Sequence, residues 1–177
     1  MAFRETPEYF FFDAEVSNEN TDLQGQIVLQ STLLHAKEYF LRNGVISVNH
    51  RHRKRLSSRV DDGRYVVGEP INVYTKGKST WIRGKLYKDN ALARIAIELL
   101  RRGSKQIKAS VGGLSPVTAI ATDGKELVIH LFWNDVALTI YPVNNSLQPV
   151  RGVIRKSIKL AAIKIRKENG SKRAVRS

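Results

Sequence analysis

Three residues of this chain have the side-chain types that activate a hydroxyl nucleophile. His50, Ser110 and Asp135 occur in that order, and each lies in or beside a stretch whose pattern is typical of a β-strand. A serine hydroxyl is a poor nucleophile until a base removes its proton. A neutral imidazole can remove that proton, and a carboxylate can orient the imidazole and stabilise its cation. The sequence therefore offers a serine–histidine–acid arrangement, provided that the fold brings the three segments together. The competing interpretation of Ser110 is a buried strand serine that is hydrogen-bonded to backbone.

Two residues compete for the third position, Asp135 and His130. Apolar and other residues alternate along residues 127–134, as in a strand with one buried face. Successive side chains of a strand point to opposite faces, and the two candidates are five positions apart. An unbroken strand therefore allows only one of them to orient His50. The competing interpretation of His130 is a half-buried polar residue with satisfied hydrogen bonds.

A second histidine near His50 raises the question of a metal. His52 lies two positions on, so both imidazoles share a face if the strand continues. No third ligand with local spacing follows, the chain has no cysteine, and no HExxH motif is present. We therefore predict no metal and no cofactor, and we keep His52 as the alternative base.

Composition is typical of one globular domain. The chain has 177 residues, of which 42% are hydrophobic, enough for a substantial core. The lack of cysteine excludes disulfides and thiolate catalysis. No apolar run approaches the roughly 18 residues that a membrane span needs, and the first residues lack a signal-peptide pattern. These features predict a soluble protein that is not exported and does not enter a membrane.

The positive charge is concentrated at the C-terminal end. The formal net charge is +14, and residues 151–177 hold ten Lys or Arg against one acid. We expect a catalytic-type domain over residues 1–150 and a basic tail over residues 151–177, with an amphipathic helix at 153–167. Such a tail is typical of an arm that contacts an anionic partner, and it is also compatible with a solvated end.

The remaining periodicity predicts short strands and two further helices. Helices are expected at 31–42, stopped by left-handed conformations at Asn43 and Gly44, and at 91–102, capped by Asn90. The predicted strands are 9–16, 27–30, 45–50, 65–74 with an interruption at 68–70, 80–87, 106–111, 118–121, 127–133 and 136–141. This pattern predicts a mainly β member of the α+β class, with a bent antiparallel sheet or β-barrel surrounded by helices.

The order of short motifs resembles the prohead proteases of tailed bacteriophages, which are distant relatives of the herpesvirus capsid protease, assemblin. The resemblance covers roughly residues 9–150. The matching segments are the Asp-Leu-Gln-Gly loop at 22–25, Val-Asn-His at 48–50, Ala-Ser-Val-Gly at 109–112, Asn-Asp-Val at 134–136 and Pro-Val-Asn at 142–144. Two features depart from the family pattern. The acid is Asp135 where Glu is usual, and the residue after the histidine is Arg51 where an acid is frequent.

The resemblance implies a serine endopeptidase in which Ser110 attacks, His50 transfers the proton and Asp135 orients the imidazole. Herpesvirus relatives use a second histidine, which keeps His130 as the alternative third member. The implied substrates are scaffolding protein, major capsid protein and the protease itself, inside the prohead in the host cytoplasm. The resemblance does not decide whether the protein is a monomer or forms homo-oligomers.

A non-catalytic virion protein is the main rival to the protease hypothesis. The charge of +14 is compatible with a basic scaffold or nucleic-acid-binding protein. The basic tail lacks interleaved aromatic residues, which act as base-stacking platforms in proteins that bind single strands. A reagent that labels activated serines distinguishes the two hypotheses.

Overall fold

The computed structural model describes residues 2–51 and 63–155. In chain order its elements are β1 (Tyr9–Ser17), β2 (Gln26–Val28), α1 (Gln30–Asn43), β3 (Val45–Val48), a 3-10 turn (Gly63–Tyr65), β4 (Val66–Lys76), β5 (Ser79–Tyr87), α2 (Ala91–Arg101), β6 (Lys108–Ile120), β7 (Glu126–Thr139) and β8 (Arg151–Gly152). The mainly β class of the α+β type is confirmed. Sequence reasoning divided β6 and β7 into two strands each, because the glycines and polar residues at their centres resemble strand ends.

All described strands belong to one mixed sheet, in which β7 pairs with three other strands, β2, β3 and β6. Strand β6 pairs antiparallel along one edge of β7, and the short strands β2 and β3 pair in parallel with the other edge. The sheet then continues through β4, β5 and β1 to β8. The parallel pairs make the sheet mixed, whereas a mostly antiparallel arrangement was expected. They arise because α1 returns the chain to the same edge of β7 in the same direction. The described strands form an open sheet, and the predicted closed barrel is not observed.

The apolar core is formed by the sheet together with both helices, α1 and α2. Alternate residues of β1 point inward, and the largest fully buried side chains come from several elements: Phe10, Phe12, Leu33, Phe40, Ile46, Ile82, Leu86, Trp133 and Val136. The rings of Phe40 and Trp133 stack with centroids 3.9 Å apart. This contact joins α1 to β7 near Asp135, so the core also fixes the part of β7 that carries a candidate residue.

The helices form where the periodicity places them, with one correction. Asn90 caps α2 as predicted, since its side chain accepts from the backbone N–H groups of Leu92 and Ala93. Gly44 is extended, with φ −79°, so the predicted left-handed stop of α1 is wrong. A Cβ there would lie 2.2 Å from the Phe40 ring, and close packing is therefore what requires glycine. Ile95 of α2 is 60% exposed, whereas Ala93, Ala96, Ile97 and Leu100 of the same helix are buried.

The C-terminal part of the described chain is extended. Residues Arg151 and Gly152 pair with β1, and Ile154 forms a bridge with Phe3. The predicted helix therefore does not begin at residue 153, and its remainder, with the rest of the tail, lies outside the described residues. The domain boundary at residue 150 stays a prediction. Neither helix in the described ranges is long and apolar enough to cross a membrane.

Candidate active site

Three neighbouring strands position the three candidate residues. Ser110 lies on β6 opposite Ala137, and Asp135 lies on β7 opposite Gly112. On the other edge of β7, Asp135 aligns with Val45 at the start of β3. Strand β3 runs parallel to β7, and His50 lies just after Val48, the last residue of β3. The site thus depends on the register of β6, β7 and β3.

His50 is held in a tight turn with an unusual backbone conformation. Asn49 and His50 have φ values of 52° and 55°, and the N–H of Arg51 donates to the carbonyl of Val48 at 3.0 Å. Positive φ at both central residues is the signature of a type I′ turn. Asparagine tolerates this region, whereas for histidine it costs on the order of 1 kcal/mol. The N–H of Asn49 also donates to the carbonyl of Leu138, which anchors the turn to β7.

A row of hydrogen bonds joins the three side chains. His50 Nδ1 bonds to Asp135 Oδ2, and His50 Nε2 lies 3.1 Å from Ser110 Oγ. A carboxylate only accepts, so Nδ1 carries the proton and Nε2 is left to accept from the serine hydroxyl. Asp135 is fully buried, Ser110 is 5% exposed and the His50 side chain is 36% exposed. The row therefore runs from a buried carboxylate to an imidazole that solvent and ligands can reach.

Gly112 provides the space in which the imidazole sits. A Cβ at this position would lie 2.8 Å from both Asp135 Oδ2 and His50 Nδ1. These are the two atoms of the hydrogen bond at the buried end of the row. The residue pattern does not indicate this contact of Gly112 with His50, because the contact arises from strand register and the turn after β3.

We predict that Gly112→Ala lowers turnover by about 10²–10⁴ while leaving the fold intact. The added methyl would clash with the ends of the Asp135 and His50 side chains. Because these ends can move, we expect the imidazole to be displaced while the sheet keeps its geometry. The matched control is Gly113→Ala, whose Cβ would lie 2.3 Å from the Leu131 side chain in the core. The control should mainly lower thermal stability. Peptide cleavage and thermal melting of both variants check this, and normal turnover in Gly112→Ala would contradict it.

The structure separates His130 from this row. His130 lies on the exposed part of β7, with its ring 5.2 Å from that of Phe132. The pairing of β6 with β7 shifts register between Asp135 and Trp133, so β7 is not the unbroken strand that the alternation argument assumed, and alternation does not separate the two candidates. They are separated because Asp135 is buried and bonded to His50, whereas His130 is exposed.

The half-buried environment expected for His130 is therefore wrong, although Val128 and Leu131 on either side of it belong to the core. His52, the alternative base, lies outside the described residues.

We predict that Asp135→Asn lowers turnover by about 10²–10⁴, whereas His130→Gln lowers it by less than about tenfold. An amide at position 135 can donate to Nδ1 and so favours the imidazole tautomer that cannot accept the serine proton. His130 makes no contact with His50. The two variants should be compared in kcat and KM with one peptide, and the reverse ranking would assign the third position to His130.

A small cavity adjoins Ser110 on the side of the loop after β1. It has a volume of about 40 Å³, and its polar lining comes from Ser17, Asn20, Asp22, Gln26 and Asn144. The loop is ordered by Asp22, whose carboxylate accepts from the backbone N–H groups of Gln24 and Gln26 at 2.8 and 2.9 Å. Because roughly 10–15 Å³ of such volume is enough to hold one water, the cavity has room for a few waters or one small group as it stands. The loop that contains Asp22 thus lines one side of the cavity beside Ser110, the candidate nucleophile.

Within the described ranges, no group of three or more His, Asp or Glu side chains is placed to hold a metal ion. A buried carboxylate, an imidazole and a hydroxyl in one hydrogen-bonded row can generate an oxygen nucleophile and return its proton to a leaving group.

Comparison with solved structures shows that this chain is similar in fold to a known protein. The chain matches no family model, and no curated protein sequence matches it. Among solved structures it is similar to the capsid assembly protease gp21 of bacteriophage T4, with a TM-score of 0.55. That match covers 73% of this chain and 80% of gp21, at 10% sequence identity. The chain therefore shares the fold of a phage capsid assembly protease.

Proposed function

We propose that this chain is a serine endopeptidase of phage capsid maturation, with Ser110 as nucleophile, His50 as general base and acid, and Asp135 as the orienting carboxylate. The observation that carries the proposal is the row Ser110 Oγ–His50 Nε2 at 3.1 Å, continued by the Nδ1 bond to a buried Asp135. The fold shared with gp21 supports the same reaction class, since that protein is a capsid assembly protease.

The proposed reaction proceeds in two steps through an acyl-enzyme. Ser110 Oγ attacks the scissile carbonyl carbon while His50 Nε2 takes its proton, and the imidazolium is stabilised by the Asp135 carboxylate. His50 then gives the proton to the leaving amine as the C–N bond breaks. In the second step His50 removes a proton from water, which attacks the ester and releases the acid product and free Ser110. No cofactor takes part in this sequence.

The proposed substrates are scaffolding and capsid-protein segments and the protease itself, cleaved inside the prohead. The name of gp21 as a capsid assembly protease supports this setting. The experiment is incubation of the purified chain with the scaffolding and major capsid proteins of its own virus, followed by mapping of new termini by mass spectrometry. We expect a few specific cuts that are missing with Ser110→Ala. Intact proteins after prolonged incubation would contradict the choice of substrate.

A further inference from the structure

A β-bulge lies directly beside Asp135 on β7. Gly112 pairs with Asp135, but the next residue of β6, Gly113, pairs with Trp133. In the described pairing of these two strands, Asn134 is therefore an extra residue without a partner on β6. Residues two positions apart on a regular strand point to the same face. The bulge changes this relation, because paired residues share a face whereas neighbours on β6 alternate.

The bulge allows Trp133 and Asp135 to point to opposite faces of β7. On one face, a Cβ at Gly112 would lie 2.8 Å from both Asp135 Oδ2 and His50 Nδ1. On the other face, the Trp133 side chain is fully buried in the apolar core. One short stretch of β7 thus supplies an aromatic ring to the core and a carboxylate to the imidazole.

The Trp133 indole closes this bulge. Its Nε1–H donates to the backbone carbonyl of Asp135 at 3.1 Å, and the bond is buried. The position of the indole is fixed in turn by α1, because the ring stacks on Phe40 with centroids 3.9 Å apart and an interplanar angle of 4°. A continuous series of contacts therefore runs from Phe40 in α1 through Trp133 to the backbone of Asp135.

We propose that Trp133 is a positioning residue for the catalytic row, an inference that rests on the function proposed above. Its indole N–H holds the Asp135 backbone in the orientation that directs the carboxylate to His50 Nδ1. Bulges are frequent beside active sites because they redirect a side chain. A displacement of about 1 Å in a catalytic group can lower a rate by about 10². A purely structural role predicts instead that loss of the N–H lowers stability and leaves the row intact.

The experiment removes the N–H donor and keeps an aromatic ring at position 133. Trp133→Phe retains a ring that can stack on Phe40. Trp133→benzothienylalanine keeps nearly the whole shape of the indole and has sulphur in place of the N–H. The matched control is Trp81→Phe, because Trp81 is also buried but lies on β5, which pairs with β1 and β4 in the described sheet. Thermal melting establishes which variants are folded.

We expect both Trp133 variants to lower kcat by about 10–10², with KM changed by less than about twofold, because a fully buried indole does not contact the substrate. Trp81→Phe should keep kcat within about threefold of the parent. The second readout is the proton NMR resonance of His50 Nδ1–H, which lies far downfield when a carboxylate accepts this proton. The resonance should weaken or move upfield in the Trp133 variants and stay in place in the control.

The resonance requires no substrate, so it tests the positioning separately from proteolysis. A wild-type chain that shows the resonance but cleaves no peptide would refute the proposed function, and the resonance of the variants would still decide the role of Trp133. An unchanged resonance in folded Trp133→benzothienylalanine would overturn the inference, whatever its kcat. An equal loss of kcat in Trp81→Phe would also overturn it.

Discussion

Ser110→Ala is expected to lower peptide cleavage by about 10⁴–10⁶ in kcat, with the fold and substrate binding retained. Ser110 is the hydroxyl that lies 3.1 Å from His50 Nε2. Without its oxygen no acyl-enzyme can form, and the remaining imidazole can at best activate a misplaced water. Because Ser110 is 5% exposed and paired on β6, alanine fits the same space without disturbing the sheet. Turnover should be measured with a peptide taken from a mapped cleavage site.

A nearby serine provides the control for this variant. Ser47 on β3 is also buried, and its hydroxyl has no hydrogen-bond partner within the described part of the chain. Ser47→Ala should leave turnover within about threefold of the parent, since it removes a hydroxyl that is not linked to His50. Wild-type turnover in purified Ser110→Ala would exclude this residue as the nucleophile and with it the proposed mechanism.

His50→Ala is expected to lower kcat about as much as Ser110→Ala. Nucleophile and base act as one unit, so removing either leaves the other without a function and the losses do not add. The double variant Ser110→Ala with His50→Ala should therefore be no slower than either single variant. Measuring kcat for all three variants gives this non-additivity directly.

His52→Ala serves as the comparison for the base. The resemblance to the phage proteases assigns the base to the histidine after Asn49, so His52→Ala is expected to reduce turnover by less than about tenfold. A severe loss in His52→Ala together with a mild loss in His50→Ala would move the base by two residues. That result would also contradict the interpretation of the 3.1 Å contact between His50 and Ser110.

The sequence was informative about the site through its resemblance to the phage proteases. That resemblance assigned roles to His50, Ser110 and Asp135, the three residues that the fold brings into one row. The two-residue period of a regular strand was not a sufficient guide along β7, because the pairing with β6 shifts register between Asp135 and Trp133.

Features that depend on contacts between distant segments could not be predicted. The parallel pairing of β3 with β7 and the small space above Gly112 come from strand order and register, which residue patterns do not encode. Gly44 was misread for the same reason, since its requirement is contact with Phe40 rather than a left-handed φ.

The most direct test of the central claim is labelling with a fluorophosphonate, which reacts covalently with serines activated by a general base. The account predicts one adduct per chain, located on Ser110 by peptide mapping, and no adduct in His50→Ala although Ser110 is still present. Ser47→Ala should label normally. Lack of any adduct on the folded wild-type chain, or an adduct on Ser110 that persists unchanged without His50, would contradict the proposed serine protease mechanism.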